Sequence, residues 1–197
     1  MKSNRLLLPL ICLLSLLCLL PSCSNPFSQQ AENLEIDKDF KKITWEDDFL
    51  IMVPNYVDAD RTLNEEADVA FSNLQKEVYI MVISEPKDFL DSVMVKGDLH
   101  EKGESLSESA LYVHLTSLQA TYEVRDVVEP KPLTISGLNA HAAEAVSTID
   151  QVPIAYHITV VEGKAKIYTI WCWTLEKYRD KYRRTFEMVA GSFKLTK

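Results

Sequence analysis

The chain has 197 residues, with 21 Lys and Arg against 29 Asp and Glu, a formal charge of −8 and a hydrophobic fraction of 47%. That length suits one domain with its own core, and the acidic balance excludes nucleic acid as a partner, because phosphate binding needs a basic patch that releases counterions. The five glycines are scattered singly and no serine sits in a Gly-x-Ser-x-Gly turn, which removes the phosphate-loop and nucleophile-elbow signatures.

Lys2 and Arg5 precede an apolar run from Leu6 to Leu20 that contains Pro9 and falls short of the roughly 20 residues needed to span a bilayer. The run ends in Leu20-Pro21-Ser22-Cys23, which resembles the bacterial lipobox, with Pro21 where that motif usually carries a small or β-branched residue. The resemblance implies that residues 1–22 are a lipoprotein signal peptide and that the Cys23 thiol is acylated, with palmitate among the expected chains. Each buried methylene contributes roughly 0.8 kcal/mol, so two or three chains hold a protein permanently where one does not. Ser24 occupies the position at which Asp marks inner-membrane retention in enterobacterial lipoproteins, and no acidic cluster follows the cysteine as in many surface-exported lipoproteins of Bacteroidota. The resemblance therefore implies an outer-membrane anchor facing the periplasm. Of the four cysteines, Cys12 and Cys18 leave with the signal and Cys23 is lipidated, so Cys172 has no partner for an intramolecular disulfide.

Residues 23–38 read as a flexible tether and 39–197 as one globular domain. Phe40–Trp45 and the apolar run Phe49–Val53, stopped by Pro54, read as a hairpin turning at Asp47-Asp48. Val78–Ile83 is likewise apolar at every position, the pattern of a strand covered on both faces. Between them, Leu63–Lys76 keeps a helical period while Val69 and Phe71 also alternate. Asp88 is placed to cap a short helix carrying Phe89, Leu90, Val93 and Met94 and ending at Gly97. Ser105 and Glu108 have capping-box spacing, and Leu111, Leu115, Leu118 and Tyr122 form the apolar stripe of a helix.

Glu129-Pro130-Lys131-Pro132 reads as a linker, and the runs on either side of Gly137-Leu138-Asn139 as a hairpin or bulged corner. Ile154–Val161 and Lys164–Thr174 read as a hairpin in which Gly163 supplies a positive φ. In its second strand, Tyr168, Ile170 and Cys172 share one face while Ile167, Trp171 and Trp173 share the other, so the strand is expected at the centre of the sheet. Glu176–Ala190 reads as a helix with Tyr178, Tyr182, Phe186 and Val189 inward, capped by Gly191 and followed by a closing tail, Ser192–Leu195.

These patterns predict an α+β domain, an antiparallel sheet of about six or seven strands with helices on both faces. The apolar strand ending in Pro54, the hairpin into a Trp-rich strand and the last helix running into Gly191-Ser192-Phe193-Lys194 resemble the PsbP-like α/β/α sandwich over about Lys41 to Lys197. Ala67–Asn73 before Val78–Glu85 is similar to the second hairpin of Bacteroidota lipoproteins with that fold, which implies a strand over Asp68–Ser72 and a turn over Asn73–Lys76. Relatives with this fold mostly bind other proteins and share no catalytic site, so the resemblance transfers no functional residue.

The chemistry-bearing residues support no cofactor or metal. His100, His114, His141 and His157 show no i, i+4 pair and no cysteine partner, and Cys172 between Trp171 and Trp173 is expected to be buried and inert. Lys177, Arg179, Lys181, Arg183 and Arg184 make the last helix basic in an acidic chain. Lys177, Lys181 and Arg184 form a candidate interaction face for an acidic partner or anionic headgroups, against the simpler reading of a solvated helix face with its cations near the C-terminus. The expected function is a noncatalytic binding or accessory module of the cell envelope, joined to the membrane through lipid on Cys23 and meeting an envelope protein. The alternative is an envelope enzyme of hydrolase type.

Overall fold

The structure, a computed structural model, describes residues 30–89, 92 and 105–196. In chain order its elements are α1 (Ile36–Asp39), β1 (Phe40–Trp45), β2 (Phe49–Pro54), β3 (Asp58–Ala59), β4 (Val69–Asn73), β5 (Val78–Pro86), α2 (Leu106–Thr121), β6 (Glu123–Ile135), β7 (Leu138–Ile149), β8 (Val152–Glu162), β9 (Lys166–Leu175), a 3-10 turn (Glu176–Tyr178), α3 (Arg179–Gly191) and β10 (Lys194–Leu195). Seven strands form an antiparallel sheet in the order β3-β4-β5-β9-β8-β7-β6, and β1, β2 and β10 form a second sheet of three. The architecture is α+β, with α2 on one face of the large sheet and α3 with the small sheet on the other. Among the described residues no helix is long and apolar enough to cross a membrane.

The two-sided strands explain this layering. On β9, Tyr168, Ile170 and Cys172 join Val78, Ile80 and Val82 of β5 in a core shared with Phe49, Ile51 and Val53 of β2 and with Tyr182, Phe186 and Val189 of α3. Residues of opposite parity, Ile167 on β9 with Ile158 and Val160 on β8, meet Ala110, Leu111 and Leu115 of α2. A strand in that position has no water-facing side, so its sequence carries large apolar residues at both parities. The Ser105 hydroxyl accepts the Glu108 N–H at 3.3 Å, so the expected cap starts α2. Beyond α3, the Ser192 hydroxyl accepts the Met52 N–H at 2.8 Å and donates to the Val189 carbonyl at 2.6 Å, tying the helix end to β2 before β10 pairs with it.

Several expectations are corrected. The chain from Glu32 belongs to the domain: Glu32 N–H donates to the Lys181 carbonyl at 3.0 Å, and its carboxylate accepts from Tyr56 and Thr185 hydroxyls at 2.9 and 3.1 Å, so 32–38 is docked and not free tether. Glu129–Pro132 is no linker but part of β6, an edge strand where a missing N–H costs no ladder bond; two register shifts, at Arg125/Val128 and Val128/Lys131, bend it. The turn after β6 is Ser136-Gly137, with φ of 50° and 80°, the two positive values of a tight hairpin. Gly163 does not adopt positive φ. A Cβ there would lie 2.6 Å from the Tyr168 ring and 3.0 Å from the Lys166 carbonyl, so glycine is needed for close approach. Gly191 is the last helical residue, and Ser192 in right-handed conformation is the cap. The segment 63–67 forms turns, and β4 with its following turn lies where the resemblance implied. Residues 87–89 are helical; the rest of that expected helix except Ser92, together with His100, the leader and Cys23, lies outside the described residues.

Candidate functional site

A groove of about 360 Å³ opens between the end of α3 and strands β6, β7 and β8. It exists because side chains on the α3 face shrink from the centre of the sheet as far as β7. Moving outward in register from Ile170 on β9, the face carries Thr159 on β8, Ala142 on β7 and Lys131 on β6, while the helix above ends in Ala190-Gly191. The bend in β6 brings Val128 and Leu133 to the outer wall, and Lys131 and Glu187 stand among the lining residues as charges of opposite sign.

The polar floor of the groove is Glu144, His157 and Thr159. Glu144 and His157 are direct cross-strand partners, with Glu144 Oε1 4.0 Å from His157 Nδ1. The other carboxylate oxygen accepts from Arg179 Nε at 3.1 Å and Nη2 at 2.9 Å and lies 3.3 Å from Arg183 Nη2. Burial pushes the His157 imidazole below its ordinary pKa; Glu144 opposes that shift and Arg183 adds to it. Thr159 is fully buried, and its hydroxyl, His157 Nδ1 and Arg183 Nε lack a hydrogen-bond partner. Unpartnered groups of this kind each cost about 1–3 kcal/mol, which a bound polar group or an ordered water would recover. Chemically the floor is suited to holding a ligand: the carboxylate is committed to two guanidinium groups, and the imidazole is neutral.

The other described histidines are hydrogen-bonded and the cysteine is buried. His114 Nε2 lies 3.0 Å from the Thr169 hydroxyl with its ring edge-on to Trp171, and burial pushes its pKa down to about 4. His141 Nδ1 lies 2.9 Å from the Ser107 hydroxyl and 3.4 Å from that of Ser105, beside a more polar groove at the start of α2; Ser107 N–H donates to Glu162 at 2.7 Å. Cys172 is fully buried, and burial raises its thiol pKa. Among the described residues no group of three or more His, Cys, Asp or Glu side chains could hold a metal.

The basic residues of the last helix divide into two sets. Arg179 and Arg183 turn inward to Glu144. Lys177 lies 4.8 Å over the Tyr178 ring, Lys181 lies 4.8 Å over Tyr182, and Arg184 Nη1 is 3.4 Å from the Asn33 side-chain oxygen, so the expected face runs beside the incoming N-terminal segment. These cations occupy the 3-10 turn and the first half of α3, and the last turn has no basic residue, so the helix dipole does not account for them. Sequence reasoning passed over Glu144 and Thr159. Their signal was a polar or small residue at alternate positions of otherwise apolar strands, Ala142 and Glu144 opposite Thr159 and His157, legible only once the register is known.

No protein-family model and no curated protein matches the chain. Among solved structures, the chain is similar to cyanobacterial PsbP (CyanoP) from Synechocystis sp. PCC 6803, with a TM-score of 0.53 and 15% identity over 86% of this chain and 99% of that one. A crystal structure from Bacteroides thetaiotaomicron VPI-5482 aligns at TM-score 0.49 and 9% identity over 81% of this chain and 49% of that one. LpqN, involved in cell envelope biogenesis of Mycobacterium tuberculosis, aligns at 0.46 and 8% over 82% and 94%. The first likeness shows that the fold is PsbP-like.

Proposed function

We propose that this chain is a lipid-anchored binding module of the bacterial cell envelope, held at the outer membrane through Cys23 and working in the periplasm by association and not by turnover. The observation that supports it most is the groove under α3, an open, mainly carbon-lined space whose buried Thr159 hydroxyl and His157 Nδ1 lack partners while the Glu144 carboxylate on its floor is paired with two guanidinium groups. Unfilled hydrogen-bonding capacity beside apolar surface is what a binding site offers; a catalytic site would instead leave a base or nucleophile free. Anchoring adds effective concentration, since module and partner then share one thin layer. Labelled palmitate should enter the protein, and Cys23→Ala should abolish both labelling and cleavage. In-cell crosslinking of the lipidated protein should trap a reproducible envelope partner, and loss of that partner on Ala142→Trp would locate it at the groove. A crosslink map with no reproducible partner overturns the reading.

One observation favours a hydrolase as the second reading, the Ser105 hydroxyl 3.4 Å from His141 Nδ1 at the head of a helix. Ser105 is already committed to capping that helix. A fluorophosphonate probe should leave it unmodified, and stoichiometric labelling of Ser105 would establish the enzyme.

A further inference from the structure

We propose that the end of the domain formed by the β4–β5 turn and the first half of α3 is a membrane-contact surface that rests on anionic lipid headgroups. The inference rests on the anchoring of Cys23 and adds an orientation to it. The described chain enters the domain here, where Glu32 N–H bonds the Lys181 carbonyl at 3.0 Å. Residue 30 lies seven positions beyond Cys23, a span of at most about 25 Å, whereas a domain of this length is about 40 Å across. An anchor at Cys23 therefore keeps this end near the bilayer and the opposite end away from it.

The side chains gathered at the entry point suit that neighbour. Lys76, Lys181 and Arg184 gather at the Glu32–Asn33 segment, and Lys177 lies four residues before Lys181 in the chain. Lys76 lies 3.5 Å from the Glu32 carboxylate, which is only 10% exposed, and Arg184 lies 3.4 Å from Asn33. One sunken carboxylate thus sits with three cations around its segment, in a chain whose overall charge is −8. Three acids on the same stretches of chain are engaged: Asp180 lies 3.3 Å from Arg183, Glu77 accepts the Tyr79 hydroxyl at 2.7 Å, and Glu35 pairs with Lys38 at 2.6 Å. The cations stand on tyrosine rings, Lys76 4.5 Å over Tyr56 and Lys181 5.7 Å over Tyr178, which is the mixture of amphipathic rings and long cationic stems favoured at headgroup depth. Leu74, at the tip of the β4–β5 turn next to these groups, is 69% exposed, the most exposed large apolar side chain among the described residues. An exposed leucine beside basic residues gains from insertion at a bilayer surface and gains nothing from water.

The test uses the lipidated mature chain bound to vesicles of neutral phosphatidylcholine, with or without 30% phosphatidylglycerol, and measures acylation of individual lysines by a water-soluble ester. Lys76, Lys177 and Lys181 should be labelled at least threefold more slowly on the anionic vesicles. Lys164, in the β8–β9 loop at the far end of the sheet, should be unchanged. Added salt at 0.5 M, or the double variant Lys181→Glu with Arg184→Glu, should return the ratio to about one. Leu74→Ser should weaken the protection with little risk to the fold, because its side chain is already in water. Equal labelling on both vesicles by a chain that floats with both overturns the orientation and leaves the anchor intact. Failure to float with either overturns the anchor and the orientation together. Protection that requires an envelope protein and is absent from protein-free anionic vesicles also overturns the proposal, assigning the face to a protein partner.

Discussion

Ala142 and Ala145 lie three residues apart on β7 and point to opposite faces of the large sheet, and the same residue type gives opposite results. On the α2 face, Ala145 and Ala143 meet Leu111 and Leu115, so small side chains opposite large ones close the layer. Ala142, on the α3 face, lies under no large side chain: α3 spends its aromatics on β2 and β9 and ends in Ala190-Gly191, leaving a groove. Two histidines repeat the contrast. His114 on the α2 face has Thr169 as partner, while His157 and Thr159 on the α3 face have unfilled bonding capacity. An alanine in a strand thus specifies close approach or open space according to what the covering helix brings to it.

Four measurements would break or sharpen that contrast. Leu111→Ala removes a fully buried side chain from the closed face and should lower unfolding stability by about 3–4 kcal/mol in a urea titration; a loss near 1 kcal/mol would mean that face is as loose as the other. The second is acid titration. His114, neutral when folded with a pKa near 4 against an unfolded value near 6.5, takes its proton first in the unfolded chain. Stability is therefore fully present above about pH 6.5 and falls by about 2–3 kcal/mol as pH drops toward 4. The downward shift of His157 acts in the same direction, and His114→Gln should flatten most of the slope.

Overpacking comes third. Ala145→Leu should cost about 2 kcal/mol, because nothing at that seat can move aside, whereas Ala142→Leu should stay within about 0.5 kcal/mol. Equal costs would show that the groove is not open space. The smallest effect concerns two buried threonines. Thr169→Val leaves His114 without its partner and should cost about 1 kcal/mol; Thr159→Val removes an unpartnered hydroxyl and should leave thermal stability unchanged or slightly higher.

What the amino-acid order determined by itself is local pattern and coverage. Runs apolar at every position, Phe49–Val53 and Val78–Ile83, and the β9 strand with large apolar residues on both faces, required layers on both sides of the sheet, and that requirement places Cys172 at zero exposure. Ser105 with Glu108 located the start of α2, since a cap is a bond between near neighbours. The tertiary structure decided what each face meets. Pro130 and Pro132 read as a break until β6 was seen to be an edge, and Gly163 as a turn former until the Tyr168 ring was found against it. Docking of 32–38 depended on Tyr56, Lys76, Lys181 and Thr185 converging on Glu32 from three distant parts of the chain. The groove and the cationic entry point share that origin. Residue order records whether a side chain must leave water, which is a property of one position and its neighbours, whereas a cavity or a charged patch is set by distances between segments that only the folded packing brings together.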